Sequence, residues 1–112
     1  MLETKLRERY FGDFNGKSDV HYQEVWNIDC HDANHNKFNC ESVNSVVIRT
    51  SELILEIEKE FEESNEQACK VILVAHGDVL QILQTSFLRK DGSLHRSLAH
   101  LETASVRQLK LE

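Results

Sequence analysis

Two residues in this chain stand where proton and anion chemistry is done. His76 ends the run Val71-Ile72-Leu73-Val74-Ala75 and precedes Gly77-Asp78. The run is unbroken, mostly β-branched and too short for a helix, the pattern of a strand buried on both faces. Behind it Val79, Leu80, Ile82, Leu83 and Phe87 recur at helical spacing. The expected unit is therefore strand, sharp turn at His76-Gly77, helix from Asp78 to about Leu88. A histidine at that turn lies at the carboxyl end of a strand, where open α/β sheets bind ligands. The backbone N–H groups of the following helix attract anions. A titratable ring beside an anion-attracting helix end suggests phosphate chemistry.

Glu8 lies between Arg7 and Arg9, in Leu6-Arg7-Glu8-Arg9-Tyr10-Phe11-Gly12-Asp13-Phe14-Asn15-Gly16. Two glycines four residues apart with aromatics near them mark a structured loop. A carboxylic acid set beside cations can donate a proton near a bound anion. The plainer reading of the same triplet is a solvated charge cluster.

The remaining elements must hold these two groups. Asp19–Ile28 has the makings of a short helix, with Val20, Val25, Trp26 and Ile28 as its apolar positions. The stretch 29–39 is polar and reads as a loop. Cys30, His31, His35 and Cys40 are residue types that ligate zinc, but their spacing matches no closed zinc module. Ser42–Phe61 is the clearest helix. Ser42 is its candidate N-cap, and Val43, Val46, Val47, Leu53, Ile54, Ile57 and Phe61 form its apolar stripe. Arg49 within it is expected to pair along the surface with Glu52 or Glu56. A turn at 89–93, an irregular or briefly helical piece at 97–100 and a strand within 104–111 complete the chain.

At 112 residues the sequence makes a single domain, 1–112. Its 40% hydrophobic and 29% charged residues are ordinary for a globular protein. A net charge of −6 argues against nucleic acid, which needs a basic stripe. No apolar run approaches the roughly 18 residues of a membrane span, so no membrane partner is expected. With no apolar signal region at the N-terminus, a cytoplasmic location is the default. Three cysteines without a secretory signal read as reduced thiols.

Three stretches then line up in a known order. The Leu6–Gly16 loop resembles the L-x-E-R-x-x-G-x-x-x-G loop of the histidine phosphatase (phosphoglycerate mutase-like) superfamily. Glu41-Ser42 followed by Arg49 is similar to that family's G-E-S…R helix start, with Cys40 in place of the glycine. Val71–Gly77 resembles its second-histidine strand, and His95-Arg96-Ser97-Leu98 through Leu111 its closing loop and strand. The resemblance implies an α/β fold: a three-layer sandwich with a mostly parallel sheet. It implies phosphomonoester hydrolysis through a phosphohistidine, with a phosphorylated small molecule or phosphate as partner and no metal or cofactor. Matched residue by residue, Glu8 would be the general acid and His76 the second, phosphate-binding histidine. Arg7, Arg9 and Gly77 would contact the substrate. Asp78, where the mutases resembled carry Asn, tilts the reading toward phosphatase.

One departure is large. The family's nucleophile lies in an Arg-His-Gly strand, and no Arg-His-Gly occurs in these residues. The chain thus corresponds to roughly the C-terminal half of a family member, a partial sandwich without the nucleophile strand and inactive by itself. In the family that strand pairs beside the one ending in the second histidine. Its absence would leave the 71–75 edge open to self-association or to a separate N-terminal half. A non-catalytic phosphate-binding or interaction module is the alternative.

Overall fold

The computed structural model describes residues 3–64, 71–99 and 106–109, except the side chain of Asp19. Three α-helices form its frame: α1 (Asp19–Asp29), α2 (Val43–Ser64) and α3 (Gly77–Phe87). Short 3-10 turns cover Thr4–Leu6, Gly12–Phe14, Lys37–Asn39 and Gly92–Ser97.

The sandwich expectation fails at this point. Among the described residues there is no strand, and residues 71–76 take no regular structure. A strand is held by ladder hydrogen bonds to a neighbour, and three or more strands are normally needed for an independent sheet. Residues 71–75 have no neighbouring strand among the described residues. Three of their side chains are consequently bare: Val71 is 52% exposed, Ile72 82% and Val74 83%. The apolar run has the composition of a buried strand and the environment of a surface. The expected closing strand lies partly outside the described residues. Its described part, 106–109, has no regular structure either, and Val106 is 93% exposed.

The helices form as their periodicity predicts. In α2, Ser42 caps the N-terminus: its Oγ accepts from the Ser45 N–H at 3.0 Å. Val43, Val46 and Leu53 point inward, but burial stops there, and Ile54, Ile57 and Phe61 are only partly covered. One apolar cluster joins α2 to α3 through Val43, Val46, Val79 and Ile82, with Ala33 between them. A second, of Phe11, Val25 and Cys40, joins the Glu8 loop to α1 and to the 37–40 turn.

Two glycines are required by these joints. Gly12 has φ +55°, and a Cβ there would stand 2.2 Å from the Phe38 carbonyl oxygen. Gly92 lets the 92–97 turn cross α2, where a Cβ would meet Val43 Cγ1 at 2.7 Å. Gln81 Nε2 then ties that turn down, donating to the carbonyls of His95 at 2.9 Å and Leu98 at 3.3 Å.

Candidate functional site

A cavity of about 780 Å³ lies between the Glu8 loop, α1, the start of α3 and Arg96. Arg7, Glu8, Arg9, Gly77 and Asp78 all line it, so residues far apart in sequence meet there. Glu8 is placed by α3. Its Oε1 accepts from the Val79 N–H at 3.0 Å and from the Arg9 N–H at 2.8 Å. Val79 is the third residue of α3, so the carboxylate satisfies one of the unpaired donors at that helix end and meets its positive pole. Among the described residues both bonds fall on Oε1; Oε2 accepts none.

His76 is the N-cap of α3, with extended backbone at φ −92° and ψ 170°. Its ring is exposed and makes no hydrogen bond among the described residues. Its carbonyl accepts from the Leu80 N–H at 3.2 Å, which fixes the backbone that carries the ring. Arg7 is exposed, donating from Nη1 to the Thr4 carbonyl at 2.9 Å.

Arg9 lies deeper than its neighbours and is only 1% exposed. Its guanidinium grips Asp29 with two bonds, Nη1 to Oδ2 at 2.6 Å and Nη2 to Oδ1 at 2.9 Å. Nε donates to the Glu41 carbonyl at 2.8 Å, and Nη1 also reaches Asp78 Oδ2 at 3.4 Å. Its reach to a ligand therefore runs through Asp78.

Asp29 is the hub of this interior. His35 Nε2 lies 2.6 Å from its Oδ1 and His95 Nε2 3.0 Å from its Oδ2. Burial works against its charge, yet the hydrogen bonds from Arg9, His95 and His35 outweigh it and hold the carboxyl well below the usual range. Burial likewise works against the Arg9 charge, and Asp29 more than restores it, so the guanidinium pKa is raised. The buried Cys40 thiol lies beside Arg9 and is pushed up by burial. The His95 ring lies between two carboxylates. Its Nδ1 is 3.4 Å from Asp78 Oδ1, and neither atom has an aligned hydrogen-bond partner.

Arg49 differs from its expected surface pairing. It is 7% exposed and forms a two-bond pair with Glu41, Nε to Oε2 at 2.9 Å and Nη2 to Oε1 at 3.0 Å. Nη1 donates to the Lys5 carbonyl at 2.7 Å, which pins the chain ahead of the Glu8 loop onto α2. Burial opposes the Glu41 charge, but Arg49 lowers its pKa overall.

Sequence reasoning missed Asp29, named His35 only as a zinc-ligating residue type and His95 and Arg96 only as part of the closing loop, and gave Trp26 no part in the site. Asp29 and His95 are 66 positions apart, and no local spacing announces a contact made only by folding. Among the described residues no group of His, Cys, Asp and Glu is arranged to hold a metal ion. Nor is any helix there long and apolar enough to cross a membrane.

Two solved structures are similar over 92% of this chain: mycobacterial hydrolase 2, at 25% identity and TM-score 0.73, and mycobacterial hydrolase 1, at 26% identity and TM-score 0.72. The chain spans about half of their length, 47% and 51%. No curated protein matches. The family match runs over residues 1–112, through the Glu8 loop, the α2 start and the His76 turn alike, and by it the chain belongs to the histidine phosphatase superfamily, branch 1.

Proposed function

We propose that this chain carries the proton-donating and phosphate-holding part of a phosphomonoester-hydrolysing site. The observation that carries the reading is the seat of Glu8 on the Val79 N–H in the first turn of α3, three residues beyond the His76 cap, in a cavity that Gly77 and Asp78 also line. In this reading the His76 ring, the α3 amides at Gly77 and the Arg7 guanidinium hold the phosphoryl oxygens. Fixed donors of that kind stabilise charge as it develops. Arg9 takes part by holding Asp78 with its guanidinium and the Glu8 carboxylate with its backbone N–H. Glu8 gives its proton to the leaving oxygen as the P–O bond breaks, while a histidine nitrogen forms the new N–P bond.

That attacking histidine belongs to an Arg-His-Gly segment, which these 112 residues do not contain. The chain is therefore inactive by itself. It gains turnover when a segment bearing Arg-His-Gly pairs along residues 71–75, whose exposed valines and isoleucine await a partner. In pure solution a second copy takes that place.

Calorimetry with inorganic phosphate tests the reading. The full chain binds phosphate, His76→Ala weakens binding by about tenfold, and a chelator changes nothing. A chain that binds no phosphate overturns it. The absence of Arg-His-Gly favours a second reading, a non-catalytic phosphate-binding module. Adding a separate polypeptide that carries an Arg-His-Gly segment separates the two. Phosphatase turnover supports the catalytic reading, and phosphate binding without turnover supports the module.

A further inference from the structure

One wall of the cavity is aromatic, and its rings are held in place. Tyr22 and Trp26 sit one turn apart on the same face of α1. Phe11 stacks beneath Tyr22 with ring centroids 4.2 Å apart, and the Gly16 N–H donates to the Tyr22 hydroxyl at 3.2 Å. The Arg96 guanidinium lies over Trp26, 3.7 Å from the ring centroid, with Asp78 Oδ1 3.6 Å from its Nη1. Lying over that ring, the Arg96 side chain is still 38% exposed. Tyr10 completes the wall at the mouth. Its backbone is fastened to Glu41 at both ends, the carbonyl accepting from the Glu41 N–H at 2.8 Å and the N–H donating to Glu41 Oε1 at 3.4 Å. Yet the residue is 56% exposed.

These are not the surroundings that a bare sugar phosphate uses. Hydroxyl groups are recognised by amides and carboxylates; Asn15 is the single neutral amide among the lining residues, and the carboxylates there, Glu8 and Asp78, already face the Val79 N–H and the guanidinium groups of Arg9 and Arg96. Ring faces and flat guanidinium groups recognise other planar groups by stacking. The geometry points to a phosphomonoester whose leaving group carries a planar aromatic ring as the ligand of this cavity, with Tyr10, Trp26 and Arg96 selecting the ring. This rests on the phosphate reading above and adds the class of leaving group. The phosphate lies toward Glu8 and α3, and the ring extends along α1 between Tyr10 and the Arg96–Trp26 stack. The Tyr22 ring stacked on Phe11 and the Trp26 ring under Arg96 lose little freedom on binding, so that part of the wall is built before the ligand arrives.

Trp26 is the only tryptophan, so its fluorescence reports on this wall alone. AMP, ribose 5-phosphate, adenosine and inorganic phosphate are titrated separately into the full chain, with calorimetry in parallel. The expected result is quenching by AMP and an affinity at least about tenfold above that of ribose 5-phosphate, the scale of one stacking contact. Tyr10→Leu and Arg96→Ala each bring that ratio toward about one, with the helical circular dichroism retained. Equal affinity for AMP and ribose 5-phosphate in the unaltered chain, with phosphate bound, overturns the aromatic preference and leaves the phosphate reading standing. Adenosine binding as tightly as AMP overturns the phosphate reading on which the proposal rests. If none of the four binds, both fall.

Discussion

Asp29 carries more of this structure than any residue that touches the cavity directly. It faces one guanidinium and two imidazoles with no exposure of its own. Removing one partner of a buried pair leaves an uncompensated charge, which costs about 3–5 kcal/mol. Asp29→Asn strands the Arg9 guanidinium in this way, and a urea melt should show a loss of that size. The same carboxylate sets an acid limit. Its folded pKa is depressed, so the stability it contributes is complete above the ordinary carboxyl value of about 4. That contribution declines as pH falls below this value toward the folded pKa. Melting temperature should therefore fall steeply below about pH 4 in the unaltered chain and more gently in Asp29→Asn. Glu8 makes the opposite case, because its role is chemical. Glu8→Gln keeps an oxygen for the Val79 N–H and so keeps the fold. With an Arg-His-Gly segment supplied, it should lower turnover about 10²–10⁴-fold, the usual share of general acid catalysis.

At the scale of elements, helix ends and turns decide where the site residues arrive. The Ser42 cap fixes where α2 starts, and with it the position of Glu41, which holds Arg49 and the Tyr10 backbone. Ser42→Ala should cost about 1 kcal/mol, read as a fall of roughly 4–8 °C in melting temperature. Gly12 is less forgiving. Its left-handed backbone and its contact with the Phe38 carbonyl oppose any side chain. Gly12→Ala should cost about 2–4 kcal/mol and loosen the Glu8 loop along with it. These positions were visible in advance. A serine before an apolar period of 3.6 and a glycine among aromatics are local signals, and local steric rules act through neighbours in sequence. Asp29 gave no such signal, because an aspartate at the end of a short helix reads as solvent-facing until Arg9, His35 and His95 fold onto it.

Over the whole molecule, the largest difference lies between the apolar content of the sequence and what the fold covers. Val71, Ile72 and Val74 are exposed, and the stripe of α2 is only partly covered beyond Leu53. Apolar surface in contiguous patches marks an interaction site. The unaltered chain should associate with rising concentration in sedimentation experiments, whereas an Ile72→Lys, Val74→Lys double variant should sediment as a monomer with its helices intact. A stable monomer of the unaltered chain at micromolar concentration would refute the pairing of residues 71–75 with a second copy.

The sequence by itself determined the three helices, the cap of α2, the glycine turn beside Glu8 and the family. Each depends on spacing or residue type within a few positions. Tertiary structure decided the rest. It made Arg9 an internal anchor, drew His95 and Asp29 together, set Arg96 on Trp26 and left the 71–75 run without a sheet. A strand is a cooperative object: its pattern states which side chains it would bury, but only a neighbouring strand can supply the hydrogen bonds that make it one.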